Sequence, residues 1–400
     1  MRLQRPSYNE CTVMLRSCAA TGHAGHRPLK SRSTNWLRRF VALTGLSLAV
    51  VVGPVSAHDS LRSSSPADDG RPGSAPAEWV LSFAGEVPLE STSPDGLGSG
   101  ETARSGGSGA PDVVRWILRL IGFAAVMLIG GFLIADLHLI RGAFSALRRS
   151  PVLKGTAVAV AAVPMIQMLI FLGDVEGTSL LGGLGHLVSI FDSTPGSMLF
   201  VRSAAGVLLA YQLVNVLPFN ESVKVQRLAL ATFGIYLIAL AYTGHSRSMA
   251  APYLGVPADV VHTAAASVWL GGLAVLVLFI SPFVSSRDLF RSFQRYGRVA
   301  KPAVIALIVT GSIQTLRLHG GIGSLFTEGH GRLLLLKIAL VAITLRLGDV
   351  NRKRVSSKMM ENPHIFDTRM AVLLRMGTME VVSGTAILAV TAALVGSSIR

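Results

Sequence analysis

Ala258–Ile280, ADVVHTAAASVWLGGLAVLVLFI, is the stretch on which the fold turns. It is 23 residues long, and Asp259 and His262 are its only ionisable side chains. About 20 apolar residues in a helix cross a bilayer core. The stretch therefore reads as a transmembrane span with its polar groups at one end. Asp259 and His262 are three residues apart and share a helix face. Trp269 follows His262 by seven residues on that face, to wall a site or simply to pack. Gly271-Gly272 and Ala264–Ala266 are small enough to let another helix come close.

Seven more apolar segments surround this one: Val113–Ile134, Val152–Gly173, Ser197–Leu217, Val225–Tyr242, Pro302–Leu318, Leu333–Gly348 and Met376–Val395. The expectation is an all-α fold, a polytopic membrane bundle of about eight transmembrane helices. Composition agrees: half of the residues are hydrophobic, 15% are charged, and the mean hydropathy is +0.52. That excludes an ordinary soluble domain.

Lys and Arg orient the spans. They gather in four alternate loops, at Arg141, Arg148, Arg149 and Lys154; at Lys224 and Arg227; at Arg287, Arg291, Arg295, Arg298 and Lys301; and at Arg352, Lys353, Arg354, Lys358 and Arg369. Basic loops stay in the cytoplasm, so both mature ends are expected outside. The same distribution accounts for the formal charge of +15 as topology, not nucleic-acid binding.

Residues 1–57 read as a basic arm and a signal peptide. Arg38 and Arg39 precede the apolar run Phe40–Val52, and Val55-Ser56-Ala57 has the small residues of a cleavage site. An uncleaved anchor helix is the other reading of the same stretch. Removing the segment takes away seven net positive charges and leaves about +8. It also removes Cys11 and Cys18, the only cysteines. The mature chain would then have no disulfide and no thiolate metal site. Residues 58–111 are polar and rich in Gly, Ser and Pro, with one strand-like alternation at Glu78–Val87, so they read as an extracytoplasmic segment and flexible linker. Residues 112–400 form the membrane domain.

The histidines then fall on one side. His58, His186, His245, His262, His319 and His330 land outside or at outer helix ends, and His138 and His364 land inside. The hairpin YTGHSRSMAAPYLGVPADVVHTAAASVWLGG brings His245 and His262 to neighbouring helix ends. Met249, four residues after His245, adds a thioether. Imidazole and thioether together suit copper, with Asp259 holding the His262 tautomer as a second layer of support. The plainer reading is that His245 caps a helix and His262 hydrogen-bonds in a polar mouth. Met165 and Met168, three apart within the second span, are either a copper(I) stepping stone or core filler. Gln167 beside them is expected to face a helix or cavity. His319 and His330, with Glu328, flank a glycine-rich outer loop as further candidate ligands or as solvated residues.

Charges inside spans need partners or water. Lys337 is expected to snorkel outward. Glu380 and Arg346, near the inner ends of adjacent spans, are expected to pair. The other role for Glu380 is in an ion or proton path.

Tyr242–Arg354 resembles the CopD family of copper-resistance membrane proteins. The elements carrying this are TGHS (Thr243–Ser246), DVVHTAAASVWLGGL (Asp259–Leu273), RSFQRYGRVAKPAV (Arg291–Val304), TGSIQTL (Thr310–Leu316) and GRLLLLKIALV (Gly331–Val341). MEVVSGTAILAVTAALV (Met379–Val395) resembles that family's last helix, Glu380 included. Ala57–Val87 resembles the start of CopC, a periplasmic copper-binding β-sandwich. In that family the mature N-terminal histidine, here His58, binds copper through its imidazole and terminal amine. The segment lacks the later CopC histidine, because no histidine occurs between Asp59 and Leu137. It reads as a CopC remnant.

The resemblance implies copper handling at the bacterial cytoplasmic membrane, usually as import, with a role in copper homeostasis and resistance. An extracytoplasmic copper carrier is the implied partner, and the chain is not expected to be an enzyme. No GxxxxGKS phosphate loop occurs. Two rivals remain at this level: a haem-binding electron-transfer bundle clamped by His245 and His262, and an accessory protein that delivers copper without transporting it.

Overall fold

The structure is a computed structural model that describes residues 61–65, 80–83, 112–176, 185, 187–244, 251–318, 329–351 and 366–396. Eight long helices lie where the eight apolar segments predict them. They are α1 (Asp112–Leu139), α2 (Pro151–Val175), α3 (Thr194–Val216), α4 (Val223–Tyr242), α5 (Pro252–Ile280), α6 (Ser286–Leu318), α7 (Gly329–Asn351) and α8 (Phe366–Leu394). Seven of these are long and apolar enough to cross a membrane. The exception, α7, has the length but carries Arg332, Lys337, Arg346 and Asp349, which lower its hydropathy.

The helices begin at caps that an apolar window does not register. Ser150 accepts a hydrogen bond from the Val152 N–H, with Pro151 at the first helical position. Ser193 does the same for Gly196, and Ser222 for Val225. Each cap satisfies an orphan donor of the first turn. At α6 the cap is reciprocal: Ser285 Oγ accepts from the Asp288 N–H at 3.2 Å and donates to the Asp288 carboxylate at 2.7 Å. The helix therefore starts far ahead of its apolar part. The cluster Arg287, Arg291, Arg295, Arg298 and Lys301, expected in a loop, is helical. Leu289, Ser292, Tyr296, Ala300 and Ala303 are buried along one face of it at the spacing of an amphipathic helix. Arg295 donates to the Leu139 carbonyl at 2.9 Å.

Side-chain ties at the two ends show the alternation of the helices. The start of α1 meets the end of α2 through Arg115, which is bidentate on Asp174 at 2.7 and 2.9 Å. Trp116 ties the same end to the Ala389 carbonyl near the end of α8. At the far end of α1, Asp136 accepts from Gln226 at the start of α4 at 2.6 Å.

Helix α1 packs against α2, α5 and α8. Its contact with α5 is backbone to backbone. A Cβ at Gly271 would lie 1.8 Å from the Met127 carbonyl oxygen, and one at Gly131 would lie 2.3 Å from the Gly271 oxygen. Only glycine fits, as the Gly271-Gly272 pair predicts. At this crossing α5 widens into a π-helical turn, Ser267–Gly271. Such turns shift the register of side chains and recur at functional sites.

The polar segment yields one short antiparallel hairpin, Leu61–Ser65 paired with Val80–Phe83. The second strand falls inside the alternating stretch Glu78–Val87. The first, LRSSS, has no apolar alternation to announce it.

Candidate functional site

A cavity of about 960 Å³ lies within the bundle, and His262 is in its wall. Two residues of α6 define how His262 is held. Its Nδ1 lies 3.0 Å from Thr310 Oγ1. That hydroxyl has one proton and gives it to the Ala306 carbonyl at 2.6 Å. On that assignment of the hydroxyl hydrogen, Thr310 accepts and His262 Nδ1 carries the hydrogen. The neutral ring then keeps its lone pair on Nε2, the form that binds a metal. One turn away Gln314 Nε2 donates to Asp259 Oδ1. Asp259 and His262 on α5 thus face Gln314 and Thr310 on α6 as two rungs.

This corrects the role expected of Asp259. The sequence places it on the His262 face and assigns it the tautomer. The structure gives that task to Thr310 and bonds Asp259 to Gln314. The family-like element TGSIQTL already contained both residues, with a spacing of four that matches the three-residue spacing on α5.

Lys337 belongs to the same site. It lines the cavity and lies within electrostatic range of His262 and Asp259. His330, buried at the first turn of α7, lines the same cavity. Trp269 contributes to the wall, and its carbonyl accepts from the Tyr296 hydroxyl at 2.7 Å.

The methionine pair does not reach this cavity. Met165 is 45% exposed on the outside of the bundle. The α2 residues that line the cavity are Val163, Gln167, Ile170, Phe171 and Asp174, and neither Met165 nor Met168 joins them. Gln167 faces the cavity as expected. The methionine in the lining is Met127 on α1, a residue that sequence reasoning did not single out.

Arg202 was also missed. It sits amid the apolar run of α3, only 5% exposed, and lines the cavity. One Nη donates to Thr243 Oγ1 at 3.1 Å and the other to Gln167 Oε1. A single arginine in FVRSAAGVLLAY was the available signal.

The expected Arg346–Glu380 pair is absent. Arg346 is exposed and bonds Asp349 at 3.6 Å, one turn on in its own helix. Glu380 is buried and accepts from Asn351 Nδ2 at 3.1 Å. Asn351 lies on the inward face of α7, whereas Arg346 lies on the outward one. Thr344 and Ser383 share a hydrogen bond at 2.6 Å, so α7 and α8 are joined by two polar contacts.

His58, His245 and Met249 lie outside the described residues, as do His186, His319 and His364. Among the described residues, no three His, Cys, Asp or Glu side chains converge as a metal site.

Residues 290–394 match the family model described as Copper resistance protein D. The copper transport protein CutJ of Bacillus subtilis (strain 168) is 26% identical over 292 residues, which cover 69% of this chain and 53% of CutJ. This chain thus spans about half the length of that relative. The copper resistance protein D of Pseudomonas syringae pv. tomato is 24% identical over 260 residues, 60% of this chain and 82% of that protein. No solved structure matches significantly.

Proposed function

From the premise that this chain belongs to the CopD-type family of integral membrane proteins, we propose that it moves copper inward across the cytoplasmic membrane. The observation that carries this reading is the 3.0 Å contact of His262 Nδ1 with Thr310 Oγ1 beside the cavity. An imidazole whose Nδ1 hydrogen is committed to Thr310 offers Nε2 to a metal in the wall of a cavity. On this reading His245 and Met249, which precede α5 in the sequence, are the further imidazole and thioether donors. His58 is a third capture point if the signal is cleaved. Copper(I) suits such a set, because imidazole and thioether are borderline or soft donors. The extracytoplasmic side is the loading side, since the basic loops stay in the cytoplasm. The natural donor is a soluble copper carrier there. The chain is a conduit and not an enzyme on this reading, and copper handling gives its contribution to homeostasis and resistance.

The test is copper accumulation in cells expressing the chain, compared with His262→Ala and with a His245→Ala/His262→Ala double variant at equal membrane abundance. Wild type should raise cell copper, His262→Ala should bring most of that gain back to the empty-vector level, and the double variant all of it. Wild type that lowers cell copper reverses the direction. Wild type that matches the vector, yet binds copper when purified, points to delivery rather than transport.

A further inference from the structure

We propose that Arg202 is the cationic half of an anion site in the central cavity, and that its occupant is a small monovalent anion, a halide or a carboxylate.

Arg202 carries a buried charge that no described carboxylate offsets. A guanidinium has five N–H donors and remains protonated in proteins. Two bonds hold that of Arg202, to Thr243 and Gln167, and both acceptors are neutral. Its Nε is buried without a partner. Among the described residues no carboxylate pairs with it, and the group it feels electrostatically is Tyr236. A buried cation at membrane depth costs several kcal/mol unless a counter-charge or water offsets it. The cavity that Arg202 lines is open space that can supply either.

The neighbours are donors too. Gln167 spends its carbonyl oxygen on Arg202, which leaves its amide N–H groups without a protein partner among the described residues, and Gln167 lines the same cavity. The wider lining has the same sign. Arg119, Arg202 and Lys337 face it, against Asp259, while Arg115 and Asp174, also in the lining, bind each other. Described side chains thus give the cavity an excess of positive charge. That field repels a bare cuprous ion and attracts an anion. On the copper reading above, which this step rests on, the metal enters with the anion as its ligand, as copper(I) does with chloride. The anion site itself stands without that reading.

Equilibrium dialysis of the full chain, purified in detergent and free of copper, against radioactive chloride tests the site. Wild type should bind chloride saturably. Arg202→Gln should bind it about tenfold more weakly or worse, the loss expected of one charged hydrogen bond. Arg346→Gln, which removes an exposed charge, should bind as wild type does. Displacement of chloride by acetate assigns a carboxylate-accepting site, and failure of acetate to displace it assigns a halide site. Should Arg202→Gln not fold, Arg202→Lys and Gln167→Leu replace it, and both should weaken binding. No saturable chloride or acetate binding by wild type overturns the proposal, and so does unchanged binding in these variants. Copper uptake into vesicles, in chloride and in isethionate, tests the coupling. Faster uptake in chloride supports entry with the anion, and equal rates overturn it. Vesicles that take up no copper in either medium sink the transport reading and leave the dialysis result intact.

Discussion

Helix α5 meets its neighbours in two ways within a few turns. At Asp259 and His262 it faces α6 through side-chain hydrogen bonds, beside a cavity. At Gly271 it faces α1 through bare backbone, with no room for a methyl group. In a bilayer no hydrophobic force distinguishes helix from lipid, so packing and hydrogen bonds must hold helices together. The glycine crossing holds α5 by dispersion at close range. The polar rungs hold α5 at a distance and leave space beside them. A rigid crossing next to a hollow, polar stretch lets the bundle keep an open site without losing its register.

The sharpest way to break this contrast is Gly271→Leu. Its Cβ alone would fall 1.8 Å from the Met127 carbonyl oxygen and 2.6 Å from its carbon. Backbone cannot step aside as a flexible side chain can, so α1 and α5 must separate. Overpacking in a tight core costs about 1–3 kcal/mol, and this site belongs at or above the top of that range. The expected outcome is loss of the monodisperse peak on gel filtration, or a large fall in Tm. A variant as stable as wild type would show that the two helices do not cross here.

Thr310→Val probes the other contact and should do less to the fold. It removes the hydroxyl that fixes the His262 tautomer while keeping the shape. The lost hydrogen bond should cost about 1 kcal/mol of stability. Its larger effect is on ligation, since loss of a group that orients a metal-binding histidine weakens affinity about 10–100-fold. A chelator competition with copper(I) measures this, and Thr310→Ser should restore most of the affinity. Equal affinities for wild type and Thr310→Val would remove Thr310 from the site.

What was legible in the sequence follows from the range of the signal. All eight helices announced themselves because a run of about 20 apolar residues is a local property. The glycine crossing was legible because Gly271-Gly272 has no other ready purpose in a span. The start of α6 was not, because an amphipathic stretch with five cations in its first half resembles a cytoplasmic loop when read by charge alone. For Asp259 and His262 the shared face was read correctly and the partnership was not, since the residues that bond them come from α6. Met165 and Met168 show the same limit: composition names a thioether, but only packing says which side of α2 meets the cavity. Arg202 was lost for a different reason. One cation in an apolar run does not disturb a window average, yet it is the charge that most needs an explanation.

The smallest expected effect concerns Arg346 and Glu380, which the sequence pairs and the structure separates. Arg346 is an exposed side chain whose contact with Asp349 is 3.6 Å long, so Arg346→Gln should change stability by no more than about 0.5 kcal/mol. Glu380→Gln should cost somewhat more, because the buried carboxylate that receives Asn351 is replaced by an amide. That amide keeps an oxygen able to accept from Asn351 Nδ2, so the loss should stay near about 1 kcal/mol. The decisive quantity is the coupling between the two substitutions. Residues without a shared partner add within about 0.3–0.5 kcal/mol, and a double-mutant cycle on the detergent-purified chain should return a coupling no larger than that. The His262→Gln and Thr310→Val cycle, measured the same way, should exceed it. A coupling well above 1 kcal/mol between Arg346 and Glu380 would mean the ion pair forms in the membrane. The contrast between α5's rungs and the α7–α8 contact would then fail.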